Sequence, residues 1–378
     1  MVELAKRNSV KVKLTNNPTI ADIYDRKDNA FDLLRFVFAV MVIYCHCYAT
    51  LKGPNREDLL GIWTGSQIDC GSLAVDCFFI ISGFLIAQSM LNSKSYKAYL
   101  IKRILRVIPA FLVSLFLISF VLGPIVTNMN LSRYFQDDGC TGPFSFIFKN
   151  VTFNIFGYSW TVHDVFSHNP FPSSANGSMW TLKHEFACYL VILLLSCFRC
   201  FKHRSLTLFV WACSAALLVL NYKYNFCLTP FTGDKGWIFS GYEYPSFVRL
   251  CFFFLAGTNI YIFKDKIRFD YRWILLAIVI ILLSEKLNLL RYSMMICLPY
   301  IIIAVGTKFK LSFLRKYGDF SYGMYIYAFP VQQFVVYLLK SRLNILTHFL
   351  LSSIITLGVS FLSWKFIENP ALQLKKKL

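Results

Sequence analysis

Runs of about 20 apolar residues recur from Phe31 almost to the end of this 378-residue chain, and each can cross a hydrocarbon layer about 30 Å thick. Segments of that length become helices in lipid, because a helix satisfies its own backbone hydrogen bonds within the span. The chain therefore reads as an all-α, polytopic membrane helical bundle. Apolar residues are 56% of the chain and charged residues 16%, against about 45–50% and about 25% in an average soluble protein. The 38 Phe residues are scattered among Leu, Ile and Val runs, and no part reads as a separate soluble domain.

About ten transmembrane helices are predicted, near 31–50, 71–91, 103–124, 178–198, 205–221, 245–263, 272–286, 291–306, 318–339 and 345–364. Residues 1–30 form a polar, basic segment, 31–366 the transmembrane domain and 367–378 a basic tail. No small-residue cleavage site ends the first apolar run, so the first helix is expected to stay in the mature protein.

The net charge of +19 raises the question of nucleic acid. With the N-terminus placed in the cytoplasm, the inner segments hold 26 of the 39 Lys and Arg, the outer loops 10, and three (Arg35, Lys183, Arg249) lie inside helices. Short loops carry that bias as a topology signal, which implies both termini cytoplasmic. Basic residues spread over six short segments form no stripe, and nucleic acid is excluded as a partner.

The exception among the short outer loops is about 125–177, which holds Trp160, His163 and His168; a long loop in a compact protein is often functional. Cys197, Cys200 and His203 make one Cys-x-x-Cys-x-x-His with no second pair to close a tetrahedral zinc site, so no metal is expected. Cys70, Cys140 and Cys227 fall on the outer side, where one disulfide could form.

Ionisable residues within spans are costly and mark function. Arg35 and His46 are eleven residues apart in the first helix; eleven steps of about 100° end within about 20° of the start and rise about 16.5 Å. They share one face, His46 nearer the outside, with Asp32 one turn from Arg35 and able to pair with it. Asp76 lies in the second helix, where Gly83 would let another backbone approach closely. Arg103 and Arg106 stand one turn apart before Pro109, a spacing suited to capturing phosphates as well as to positive-inside topology. The fourth helix opens Gly177-Ser178-Met179-Trp180-Thr181-Leu182-Lys183-His184-Glu185, with Tyr189 one turn on. Ser178 is its expected N-cap, and Glu185 should face the bundle interior. The ninth carries Tyr322 and Tyr325 on one face.

Together these segments resemble the acyltransferase 3 family of membrane O-acyltransferases. The resemblance rests on Arg35-x10-His46, on Val75 through Phe84, on Arg103-x-x-Arg106-x-x-Pro109, on Trp180-Thr181-Leu182 with Glu185 and Tyr189, on Ser321-Tyr322-x-x-Tyr325, and on Glu368-Asn369-Pro370. It covers about 29–370 in the family's order, with Ala328 standing where many members carry a histidine.

The resemblance implies transfer of an acyl group, most often acetyl from acetyl-CoA, to a hydroxyl of a cell-envelope or exported saccharide such as O-antigen, exopolysaccharide or lipo-oligosaccharide. It implies a multi-pass protein of the bacterial inner membrane, with the bilayer and a saccharide or lipid-linked glycan as partners. An alcohol attacking a thioester needs a base, and a histidine suits. His46 is the expected base, and Arg35 would bind the donor or steady the oxyanion. Arg103 and Arg106 would hold the coenzyme phosphates. Glu185 would orient the imidazole or position the acceptor hydroxyl. Asp76, Trp180, Tyr189, Tyr322 and Tyr325 are expected to line the substrate site. The rival class is a multi-span transporter or flippase of a small anion or lipid-linked sugar, with Asp76, Glu185 and Arg35 along its path. Transporters often show repeated halves, and no internal repeat is found.

Overall fold

The computed structural model describes residues 18–377 except 55, 137, 138, 140, 154, 156, 225–242 and 312–317. Two of the cysteines considered for an outer disulfide, Cys140 and Cys227, lie outside the described residues. The described residues are helical with no strand. The long helices are α1 (Phe31–Lys52), α2 (Cys70–Leu91), α3 (Tyr96–Phe116), α4 (Trp180–Cys197), α5 (Arg204–Tyr224), α6 (Tyr244–Ile262), α7 (Tyr271–Lys286), α8 (Leu290–Lys308), α9 (Ser321–Leu339) and α10 (Ile345–Ser363).

Eight segments of the described residues are long and apolar enough to span a membrane: α1, α2, α3 with its extension to Val126, α4, α5, α6, α8, and α10 with its extension to Gln373. The other two expected spans are helices that fall outside that set. One of them, α7, has only 16 residues. The other, α9, carries two buried glutamines, Gln332 and Gln333, and three tyrosines along its first two turns.

Local chemistry sets the helix starts. Asp69 opens α2 by accepting from Ser72 N (2.6 Å), and Asn344 opens α10 by accepting from Thr347 N (2.9 Å). These contacts satisfy amide donors that have no partner inside the helix. Ser95 caps α3 through Ala98 N (3.1 Å), so α3 begins at Tyr96, seven residues before the expected start at 103. Arg103 and Arg106 therefore sit well inside the helix instead of at its first turn. Ser178 does not cap α4. That helix begins at Trp180, and Asn176 Oδ1 accepts from Ser178 N instead (3.0 Å).

The centre of the bundle is α2 against α6. A Cβ on Gly83 would lie 1.8 Å from Phe254 O, and one on Gly257 2.0 Å from Ile80 O, so only glycine allows these backbones to meet. Thr258 Oγ1 donates to Gly83 O across the contact (3.1 Å). The most apolar stretch of α6 is 72% buried and that of α5 17%. Helix α6 is thus a central strut, and α5 presents most of its surface outward, the division expected where lipid is the solvent.

The loop between α3 and α4 is tied to α9. Asn169 Nδ2 donates to Gln333 O (2.8 Å), Gln333 Nε2 to Ser174 O (3.0 Å), and Asn176 Nδ2 to Ile326 O (2.9 Å). Chain direction gathers the start of α1, the early turns of α3, the start of α9 and the segment after α10 at one end of the bundle, called here the Arg103 end. The opposite, His46 end, holds the α3–α4 loop.

Candidate active site

At the Arg103 end an ionic network joins four elements. Arg35 pairs with Asp32 one turn away, as their spacing suggests, and reaches Asp319 Oδ2 at 3.3 Å. Arg106 lies 2.6 Å from Asp319 and 3.4 Å from Glu368, and Glu368 accepts from Ser363 Oγ (3.1 Å). Three carboxylates hold these two guanidiniums. Arg103 differs: it donates to Ser89 Oγ (3.1 Å), lies over the Tyr99 and Tyr189 rings (5.9 Å each), and has no ion-pair partner among the described residues. Nearby Lys375, in the turn after α10, has its amine held down to about 7 by burial and then by the charges of Arg103, Arg106 and Lys102.

Next to this network is a cavity of about 130 Å³ lined by Arg35, Arg103, Arg106, Glu185, Tyr189, Tyr322 and Tyr325, together with Phe78 and Thr181. Glu185 accepts from the Tyr189 hydroxyl, and Tyr322 OH donates to Val107 O (2.8 Å). Seven of the ten sequence-derived candidates thus share one cavity.

His46 lines a second cavity, of about 420 Å³, with Trp160, Trp180, Phe171 and Phe329. Its ring meets Phe329 edge-on at 5.1 Å, and its Nδ1 has no hydrogen-bond partner among the described residues. The two cavities are close neighbours. Thr181 and Tyr325 face the first; Trp180 and Phe329, one residue and one turn along the same helices, face the second. In the wall of the first cavity the Thr181 and Tyr325 hydroxyls are hydrogen-bonded at 2.7 Å. Glu185 and His46 therefore line different cavities, and the structure does not bring them together.

The last candidate, Asp76, is 3% exposed and lines a third cavity, of about 450 Å³, whose wall also includes Trp180, Arg249 and Arg291. Trp180 belongs to both cavities at the His46 end. Among the other histidines, His348 is buried between Thr50 Oγ1 (3.0 Å) and Ser352 Oγ (3.2 Å), a structural setting. Ala328 is fully buried in a small cluster with Ala39, Ile43 and Cys47. The ligand atoms of Cys45, Asp58 and Asp69 lie within 4.8 Å of one another. Both carboxylates are engaged by backbone amides, however: Asp58 by Gly61 N (2.9 Å) and Cys70 N (2.8 Å), Asp69 by Ser72 N (2.6 Å). That cluster caps helices.

Sequence reasoning gave Asp319 and Phe329 no role, quoted Thr181 only as part of a motif, and gave Glu368 no partner. Asp319 carried one available signal, an acid beside an apolar span on the basic side of the chain.

Comparison with known proteins bears on this arrangement. The chain is 28% identical over 359 residues to the O-acetyl transferase of Shigella phage Sf6, covering 92% of this chain and 96% of that protein. It is 25% identical over 370 residues to nodulation protein 10 of Rhizobium leguminosarum bv. viciae, covering 93% and 95%. No solved structure matches it. The acyltransferase domain model of the acyltransferase 3 family matches residues 28–365, a stretch that holds every residue lining the three cavities, and the chain belongs to that family.

Proposed function

We propose that this membrane acyltransferase moves an acetyl group from acetyl-CoA, bound at the Arg103 end, to a saccharide hydroxyl presented at the His46 end. The observation that carries the reading is the pair of adjoining cavities. Among the described residues, one is lined by a guanidinium with no carboxylate partner and the other by a histidine whose Nδ1 has no hydrogen-bond partner, and a hydroxyl pair in the wall of the first adjoins residues that line the second. The phosphates of the donor suit Arg103, with Lys102 and Lys375 nearby. Arg106 serves to hold Asp319 and Glu368. The slim first cavity favours an acyl-bearing arm over a bulky ring.

In the proposed step the acceptor oxygen attacks the thioester carbonyl while His46 takes its proton. The carbon–sulfur bond breaks, the thiolate leaves as a thiol after taking that proton, and an ester remains on the sugar. Phe329 and Trp180 beside His46 keep water from competing for the acyl group. Glu185, paired with Tyr189 inside the first cavity, is assigned to positioning the donor arm. The topology that suits this division has ten spans, both termini in the cytoplasm and the Arg103 end facing inward, in a bacterial inner membrane. The relative named O-acetyl transferase supports acetyl as the group transferred.

Mass spectrometry of surface glycan from cells with and without the chain tests the proposal. One added acetyl group per modified unit is expected. Identical glycan masses, with the protein present in the membrane, would sink it.

A further inference from the structure

We propose that the third cavity, at the His46 end, binds an uncharged saccharide, with a sugar ring on Trp180 and its hydroxyls beside the Asp76–Arg249 pair. This rests on the acyl-transfer reading above and names the acceptor class for it.

Four observations converge. First, at about 450 Å³ the cavity falls within the range of about 300–1,000 Å³ usual for ligand sites. Second, among the described residues its charged wall is mixed: Asp69, Asp76 and Glu243 contribute carboxylates, and Arg249 and Arg291 guanidiniums. A sugar acid or phosphate would meet more negative groups than positive ones, whereas a neutral ring offers hydroxyls that both donate and accept. Third, Asp76 is 3% exposed, and its Oδ1 receives no hydrogen bond among the described residues although Arg249 Nε lies 3.5 Å away. A buried carboxylate oxygen without a donor is costly, and a sugar hydroxyl supplies one. Fourth, Trp180 belongs both to this cavity and to that of His46. A ring resting on the indole therefore brings the next unit of the same glycan toward the proposed base. The wall is also preformed, since Arg291 is held by Gln67 O (2.7 Å) and Ser66 O (3.1 Å).

The test uses membrane vesicles carrying the full chain, radiolabelled acetyl-CoA, and surface glycan of the source cells stripped of its acetyl groups and parted by anion exchange into neutral and acidic pools. Label is expected in the neutral pool. Ser246→Trp, which fills the cavity without removing a charge, should raise the acceptor KM at least tenfold and leave the donor KM within twofold. Arg291→Gln, on the exposed side of the wall, should raise the acceptor KM by a smaller factor. Label confined to the acidic pool would overturn the inference, as would acceptor KM values unchanged in both variants. No label in either pool with the unaltered chain would instead bring down the acyl-transfer reading, and this inference with it.

Discussion

Arg103 and Arg106 belong to one motif and stand one turn apart, yet the structure assigns them opposite fates on substitution. Arg106→Gln strands Glu368, which is 2% exposed and has Arg106 as its only ionic partner among the described residues. Asp319 keeps Arg35 at 3.3 Å, so it is only partly orphaned. Removing one side of a buried pair costs about 3–5 kcal/mol, and the surviving Arg35 contact places this variant near the lower figure. Arg103→Gln strands no carboxylate. It loses two ring contacts at about 0.5–1 kcal/mol each and weakens one hydrogen bond, a total of about 1–2 kcal/mol. A charged contact to a donor phosphate is worth about 1.5–3 kcal/mol, which is roughly 10- to 150-fold in affinity at about 1.4 kcal/mol per tenfold. Thermal unfolding of the purified protein in detergent, run beside acetyl-CoA titration, separates the two outcomes. Arg106→Gln should melt several degrees lower, and adding Glu368→Gln should restore part of the loss by neutralising the stranded acid. Arg103→Gln should melt close to the parent and bind donor weakly. Equal melting points with equal loss of donor affinity would refute the division of labour.

Three further outcomes follow from the same geometry. His46→Ala should lower acyl transfer by about 10²–10⁴, the usual worth of a general base, with little loss of protein, since it strands no hydrogen-bond partner; a variant keeping half the rate would move the base elsewhere. Lys375, whose amine is held near 7, is charged below that pH and neutral above it, so donor KM should rise as pH climbs through about 7. Lys375→Gln should flatten that rise, and an unaltered pH profile would exclude the lysine from the donor site. Gly257→Ala drives a methyl to 2.0 Å from Ile80 O, an overpacking expected to cost about 1–3 kcal/mol or more; a normal melting temperature would mean that α2 and α6 part more easily than their contact implies.

The amino-acid sequence disclosed the helical membrane bundle, the Asp32–Arg35 pair and the close approach at Gly83, because each depends on length, on i to i+3 spacing or on the absence of a side chain. It did not disclose that Arg106 is matched by Asp319 and Glu368, which are 213 and 262 residues away. No local rule links such positions. The early start of α3 escaped because Ser95 is one polar residue among several in a lysine-rich turn. The distribution of candidates among three cavities was also hidden. Helices apolar on every side give little sign of which face meets a neighbour, so Glu185 and His46 could be placed in the interior but not in separate compartments.

The hydroxyl pair of Thr181 and Tyr325 bears on how such an enzyme relates to the voltage across its membrane. Moving one elementary charge through a full membrane potential involves about 2.3 kcal/mol per 100 mV. In the proposed reaction the coenzyme keeps its negative charges at the Arg103 end and the glycan stays at the other, while the acetyl group goes one way and the acceptor's proton, carried by His46 to the thiolate, goes the other. No net charge travels, so turnover should be indifferent to depolarisation.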